Sequence, residues 1–155
     1  MPPDGDIAAL LRDEIAAVQR FVQLLQTEQG FLQTGATDEL TRCTGQKSVL
    51  AEGLVRLATA RNEKLRAAGH GTDNDGLKQW AGVQGQADAE LHQRLLELAR
   101  EARELNRLNG QLIAMRLSHT HAALAALSPE RAASSLYGRD GQTNARTGYR
   151  IIDSA

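Results

Sequence analysis

Aromatic side chains are nearly missing from this chain: Phe21, Phe31, Trp80, Tyr137 and Tyr149 are the only five in 155 residues. A β-rich or aromatic-cored fold has little to build with, whereas the abundant Leu, Ala, Gln, Glu and Arg suit long helices packed by aliphatic side chains. Proline is as scarce. Pro2, Pro3 and Pro129 are the whole complement, so no residue from Asp4 to Ser128 lacks the amide hydrogen that a helix uses. Cys43 is the single cysteine, which excludes an internal disulfide and suits a reducing cytoplasm. No apolar run approaches the length of a membrane span, and the acidic opening MPPDGDIAALLRDE lacks the basic-then-apolar order of a secretion signal. The net charge of -1 leaves no cluster of Lys and Arg to neutralise phosphates. These absences predict a cytoplasmic protein that neither inserts into membranes nor binds nucleic acid.

What is present is helical periodicity. Leu11, Ile15, Val18, Val22 and Leu25 recur at three and four residues, with Phe21 beside them and Leu32 resuming the stripe, which predicts a first helix over about 6–34. Gly35-Ala36-Thr37 reads as a loop, with Gly35 as C-terminal cap and Thr37 or Asp38 as the next N-terminal cap. A second helix, about 38–68, carries Leu40, Cys43, Lys47, Leu50, Leu54, Leu57, Arg61 and Leu65 close to a heptad row. Lys47 and Arg61 fall inside that row, where their stems are expected to cover apolar surface while their charges reach water. Gly45 and Gly53 each weaken the helix by roughly 1 kcal/mol relative to Ala and leave room for a neighbour. Residues 69–85 are rich in breakers and read as a connector with one or two helical turns about 77–83, Trp80 plugging one end of the bundle. A third long helix, about 86–127, ends before Ser128-Pro129. The expected fold is all-α: an elongated antiparallel bundle of three long helices with a short connector helix and a flexible C-terminal tail. Residues 1–127 form the bundle domain, and 128–155 the tail, weakly ordered by itself.

Within the third helix the stretch NRLNGQLI, residues 106–113, contains the turn dipeptide Asn-Gly flanked by leucines. Placing residues at about 100° steps makes it a boundary inside one helix. Before it, Leu91, Leu95, Leu98 and Ala102 form one apolar stripe beside a charged face of Glu90, Arg94, Glu97, Glu101 and Glu104. After it, Ile113, Leu117, Leu124 and Leu127 continue that stripe, while the charged face becomes Leu108, Leu112, Met115, His119, Ala122 and Ala126. A helix with two apolar faces needs cover on both, from helix two and the connector, from the chain's own tail, from a second copy or from a client helix laid in a groove. Asn106 and Asn109 are placed to fix register by hydrogen bonding, and Gly110 to allow close helix approach.

The chemistry of catalysis is absent. His119 and His121 point to different faces, His70 and His92 are isolated, and no Glu-x-x-His pair suggests a carboxylate-bridged metal site. Cys43 has no histidine beside it, which leaves a buried, inert thiol as the default despite Arg42 and Lys47 nearby. Gly138 to Thr143 lacks the Gly-Lys-Ser/Thr ending of a phosphate loop. No enzyme activity, metal or cofactor is expected.

The motifs taken together resemble the FlgN-like family of flagellar export chaperones. The resemblance rests on LLQTEQGFLQTG (24–35), ELTRCTGQKSVLAEGLVRLATAR (39–61) with its Lys47 and Arg61, Trp80, the Asn106-x-x-Asn109-Gly110-x-Leu112-Ile113 element and Leu136-Tyr137-Gly138-x-x-Gly141. It implies a cytoplasmic, non-enzymatic chaperone that binds the C-terminal helical regions of the hook-filament junction proteins FlgK and FlgL. It further implies that the chaperone prevents their early assembly and delivers them to the type III export gate, where FlhA receives them. The C-terminal part of such chaperones binds the client. Leu108, Leu112, Met115 and Leu127 on the helix and Leu136, Tyr137, Tyr149, Ile151 and Ile152 in the tail are the anchors expected to do so here. The alternative is a structural or adaptor coiled-coil protein that forms homo-oligomers through the Leu108/Leu112/Met115 face.

Overall fold

The computed structural model describes the backbone of residues 3–127 and the side chains from Ile7 to Leu127. Helices α1 (Pro3–Thr34), α2 (Thr37–Ala67), α3 (Asn74–Gln84) and α4 (Gln86–Leu127) account for nearly all of it, and there is no strand among the described residues. This is an all-α bundle of long helices with a short connector helix. Two compact units divide between Ile113 and Ala114, inside α4.

The α1–α2 hairpin turns in two residues. Gly35 sits at φ +80°, a left-handed conformation that glycine adopts without steric cost, and the amides of Gly35 and Ala36 both donate to the Phe31 carbonyl at 2.8 and 3.2 Å. The expected loop with a Thr37 or Asp38 cap is corrected by this geometry. The tight reversal makes Ala36 the cap residue, with no side-chain hydrogen bond, while Asp38 and Glu39 lie in the first turn where the helix dipole favours them.

The buried row of α1 is Ile7, Leu11, Glu14, Val18, Val22, Leu25, Glu28 and Leu32. Its spacing of three and four residues matches a heptad row, but two of its positions are carboxylates. Burying a carboxylate without a partner is costly, and α2 supplies the partners. Arg61 Nη1 lies 2.5 Å from Glu14 Oε2, and Lys47 Nζ lies 3.1 Å from Glu28 Oε2. Glu14 and Glu28 are fourteen residues apart, as are Lys47 and Arg61 in the reverse order. Two heptads on each antiparallel strand of the hairpin therefore keep one register. The reading in which Lys47 and Arg61 send their charges to water is corrected: both charges turn inward to these acids.

The connector is more helical than its breakers suggest. Asp73 caps α3 by accepting from the Gly76 amide at 2.8 Å, and Leu77, Trp80 and Ala81 are buried in the common core. That docking needs glycine at position 76, because a Cβ there would overlap the backbone of Gly71. Trp80 is fully buried, sharing the cluster with Ile7, Leu11 and Leu65, and its indole N–H has no hydrogen-bond partner among the described residues. From α4, Leu95, Leu98 and Ala102 complete the core, with Leu91 and Leu105 packed against it.

Candidate docking site

One polar node joins α4 to the hairpin. Asn109 is fully buried, and its Nδ2 donates to the Leu25 carbonyl and to Glu28 Oε2, each at 2.8 Å. Glu28 also accepts from Lys47, so α1, α2 and α4 meet at a single carboxylate. A neutral amide and an ammonium together satisfy a charge that the core could not hold alone. Asn109 Oδ1 has no hydrogen-bond partner among the described residues.

Asn109 thus lies in the middle of the buried row of α4, which runs Leu98, Ala102, Leu105, Asn109 and on to the half-buried Leu112. The expectation that Ile113 and Leu117 continue this row is corrected, since they are 46% and 55% exposed. Heptad packing follows about 3.5 residues per turn, so over three turns or more it departs from a straight-helix projection. Asn106 is exposed and takes no part in the node's hydrogen bonds. Gly110 is exposed as well, and a Cβ built on it meets nothing within 4 Å, so no helix approaches closely there.

Beyond the node the character of α4 changes. Leu108 and Leu112 are half-buried, but Met115 and Leu124 are each 58% exposed and Leu127 is 78% exposed. Residues 114–127 hold one arginine and two exposed histidines as their only basic groups and no acid at all. An acid-free helix with large apolar side chains in water has the character of a surface that suits docking. Leu136, Tyr137, Tyr149, Ile151 and Ile152 lie outside the described residues.

Burial pushes the Glu14 carboxyl above its ordinary value, against the opposing pull of Arg61. Burial also raises the Cys43 thiol, and the nearby Glu28 adds to this while Lys47 counters it. His92, read from sequence as isolated, is buried with Nε2 3.0 Å from Asn74 Oδ1, and burial, then the charges of Lys78 and Arg61, lower its pKa. Among the described residues no group of three His, Cys, Asp or Glu could hold a metal ion, and no helix is long and apolar enough to cross a membrane. Sequence reasoning missed the two interhelical ion pairs; it expected Asn109 to hydrogen-bond but did not name its partners on α1. The equal spacing of Glu14/Glu28 and Lys47/Arg61 is the signal that could have found the pairs.

A family model described as FlgN protein matches residues 3–145. No curated protein and no solved structure matches the chain.

Proposed function

From the premise that the chain belongs to the FlgN family of flagellar export chaperones, we propose that it acts in the cytoplasm on the C-terminal helical regions of FlgK and FlgL. It holds these clients unassembled and delivers them to the export gate protein FlhA. Residues 1–127 serve as the helical scaffold, and 128–155 as a tail that closes over the client.

The observation that carries this reading is the run of exposed apolar side chains at Met115, Leu117, Leu124 and Leu127 on a segment without acids. An amphipathic client helix has matching anchors at three- and four-residue spacing. Fully burying one leucine contributes about 1.5–3 kcal/mol, so three or four of these side chains suffice for a specific complex. Leu108 and Leu112 on α4 and Leu136, Tyr137, Tyr149, Ile151 and Ile152 in the tail are the further anchors of this reading.

The test is calorimetric titration of the C-terminal segments of FlgK and FlgL into the full chain, a chain ending at Ser128, and a Met115→Glu/Leu124→Glu variant. Binding is lost in the last two while their far-UV helical signal persists. Truncated protein that binds as tightly as the full chain overturns the role of the tail. The same exposed side chains also suit self-association. A concentration-dependent dimer in sedimentation that Met115→Glu abolishes, with no binding to either client, establishes the coiled-coil alternative instead.

A further inference from the structure

A second concave surface lies on the α1–α2 hairpin and shares no residue with the α4 surface. It is a groove of about 800 Å³ floored by Leu24, Val49 and Leu50 and flanked by Arg20 on α1 and Arg42 on α2. Leu24 and Leu50 are half-buried and Val49 is 65% exposed. Neither arginine makes a hydrogen bond or ion pair among the described residues, and no acid lines the groove. Elsewhere in this hairpin the cations that face the partner helix are paired, as Lys47 and Arg61 are.

Gly45 supplies an independent reason to look outward. It lines the groove in the interior of α2, where glycine weakens a helix, yet a Cβ built on it meets no atom within 4 Å. Packing inside the chain does not require a glycine there. A larger side chain would instead narrow the groove.

We propose that this groove docks an amphipathic helix of another protein, its apolar anchors over Leu24, Val49 and Leu50 and its flanking carboxylates on Arg20 and Arg42. Charge selects this occupant. A second copy packed groove to groove about a two-fold axis would meet the same lining, which holds two arginines and no acid. Residues 128–155 contain four arginines and three acids, so the chain's own tail offers no excess of carboxylate. A concave cleft between two helices fits a helix and not a flat bilayer.

The proposal stands apart from client binding at α4, and its probe contains no client sequence. The probe is a fluorescein-labelled, stapled helix with leucines at alternating three- and four-residue spacing and glutamates on both flanks, titrated with the full chain by anisotropy. The acidic helix binds saturably, added salt weakens it, and a lysine-flanked helix of the same apolar sequence fails to bind. Arg42→Glu and Val49→Asp each weaken binding by about tenfold or more. Gly45→Leu abolishes binding while raising the melting temperature, which separates docking from folding. Equal binding of the two helices, no saturable binding, or undiminished binding by Gly45→Leu and Val49→Asp overturns the proposal. So does a dimer in sedimentation that Val49→Asp dissociates, tighter probe binding once residues 129–155 are removed, or a preference for anionic vesicles over the acidic helix.

Discussion

Asn109 and Glu28 lie 2.8 Å apart across the α1–α4 contact, an amide donor on a buried carboxylate. Apolar side chains tolerate sliding along a helix interface, but a buried hydrogen bond is made at one register and lost at the next. Asn109→Ala removes the donor and leaves both Glu28 and the Leu25 carbonyl short of a partner, at a cost of about 1–3 kcal/mol. Urea denaturation monitored by circular dichroism measures that loss. Asn109→Leu restores apolar contact without the directional bond, so α4 keeps its helicity and samples more than one register. Doubled amide resonances over residues 105–113 are the expected sign; a single sharp set counts against a register role.

Glu14 and Arg61 give a second, larger effect. Both side chains are almost enclosed, at 10% and 13% exposure, so either charge alone is left in a poor solvent. Arg61→Met is expected to cost about 3–5 kcal/mol, whereas Glu14→Leu combined with Arg61→Met returns to within a few kcal/mol of the parent or above it. A double-mutant cycle on chemical denaturation checks this. Additive losses would show that the pair is not coupled.

Most element ends were legible because their signals are local. Gly35 ends α1 and Gly85 separates α3 from α4, as the sequence suggests. The extent of α3 was less clear, since Gly76 and Gly82 read as breakers, and only the contact of Gly76 with Gly71 shows why one of them is required. The site was harder. The apolar stripe leaves out Glu14 and Glu28 although their spacing fits the row, because a carboxylate's burial depends on a cation that lies 47 or 19 residues away in sequence. Straight-helix angles likewise placed Ile113 in the core row and Asn109 at its border, an error that accumulates with distance from Leu91 when the true row has a 3.5-residue period.

Glu14 and His92 impose opposite pH dependences. The Glu14 pKa is raised above 4.5 on folding, so its contribution to stability is full below 4.5 and is lost as pH rises through the folded value. The His92 pKa is lowered below 6.5, so its contribution is full above 6.5 and is lost as pH falls through the folded value. Melting temperatures of the parent, Glu14→Gln and His92→Gln, measured from pH 4 to pH 8 at steps of about half a unit, resolve the two. The parent loses ground to Glu14→Gln as pH rises past 4.5 and to His92→Gln as pH drops below 6.5. Parallel curves for all three proteins would refute both assignments.

Three helical glycines make the same substitution a test of three environments. At Gly110 an added methyl meets nothing within 4 Å, and the same holds at Gly45. Alanine there brings only its better helix propensity and stabilises the protein by up to about 1 kcal/mol at each position. At Gly76 the added Cβ collides with the Gly71 carbonyl, which is backbone and held by the α2–α3 connection. Gly76→Ala therefore destabilises by about 1–3 kcal/mol despite the same propensity gain, because α3 has to move off the connector. Trp80 reports that movement directly: its emission shifts to the red as the indole loses its fully buried place, while Gly45→Ala and Gly110→Ala leave the spectrum unchanged. A Gly76→Ala variant with parental emission and raised stability would mean that the connector yields freely, and that α3 is not held by the close approach of Gly71 and Gly76.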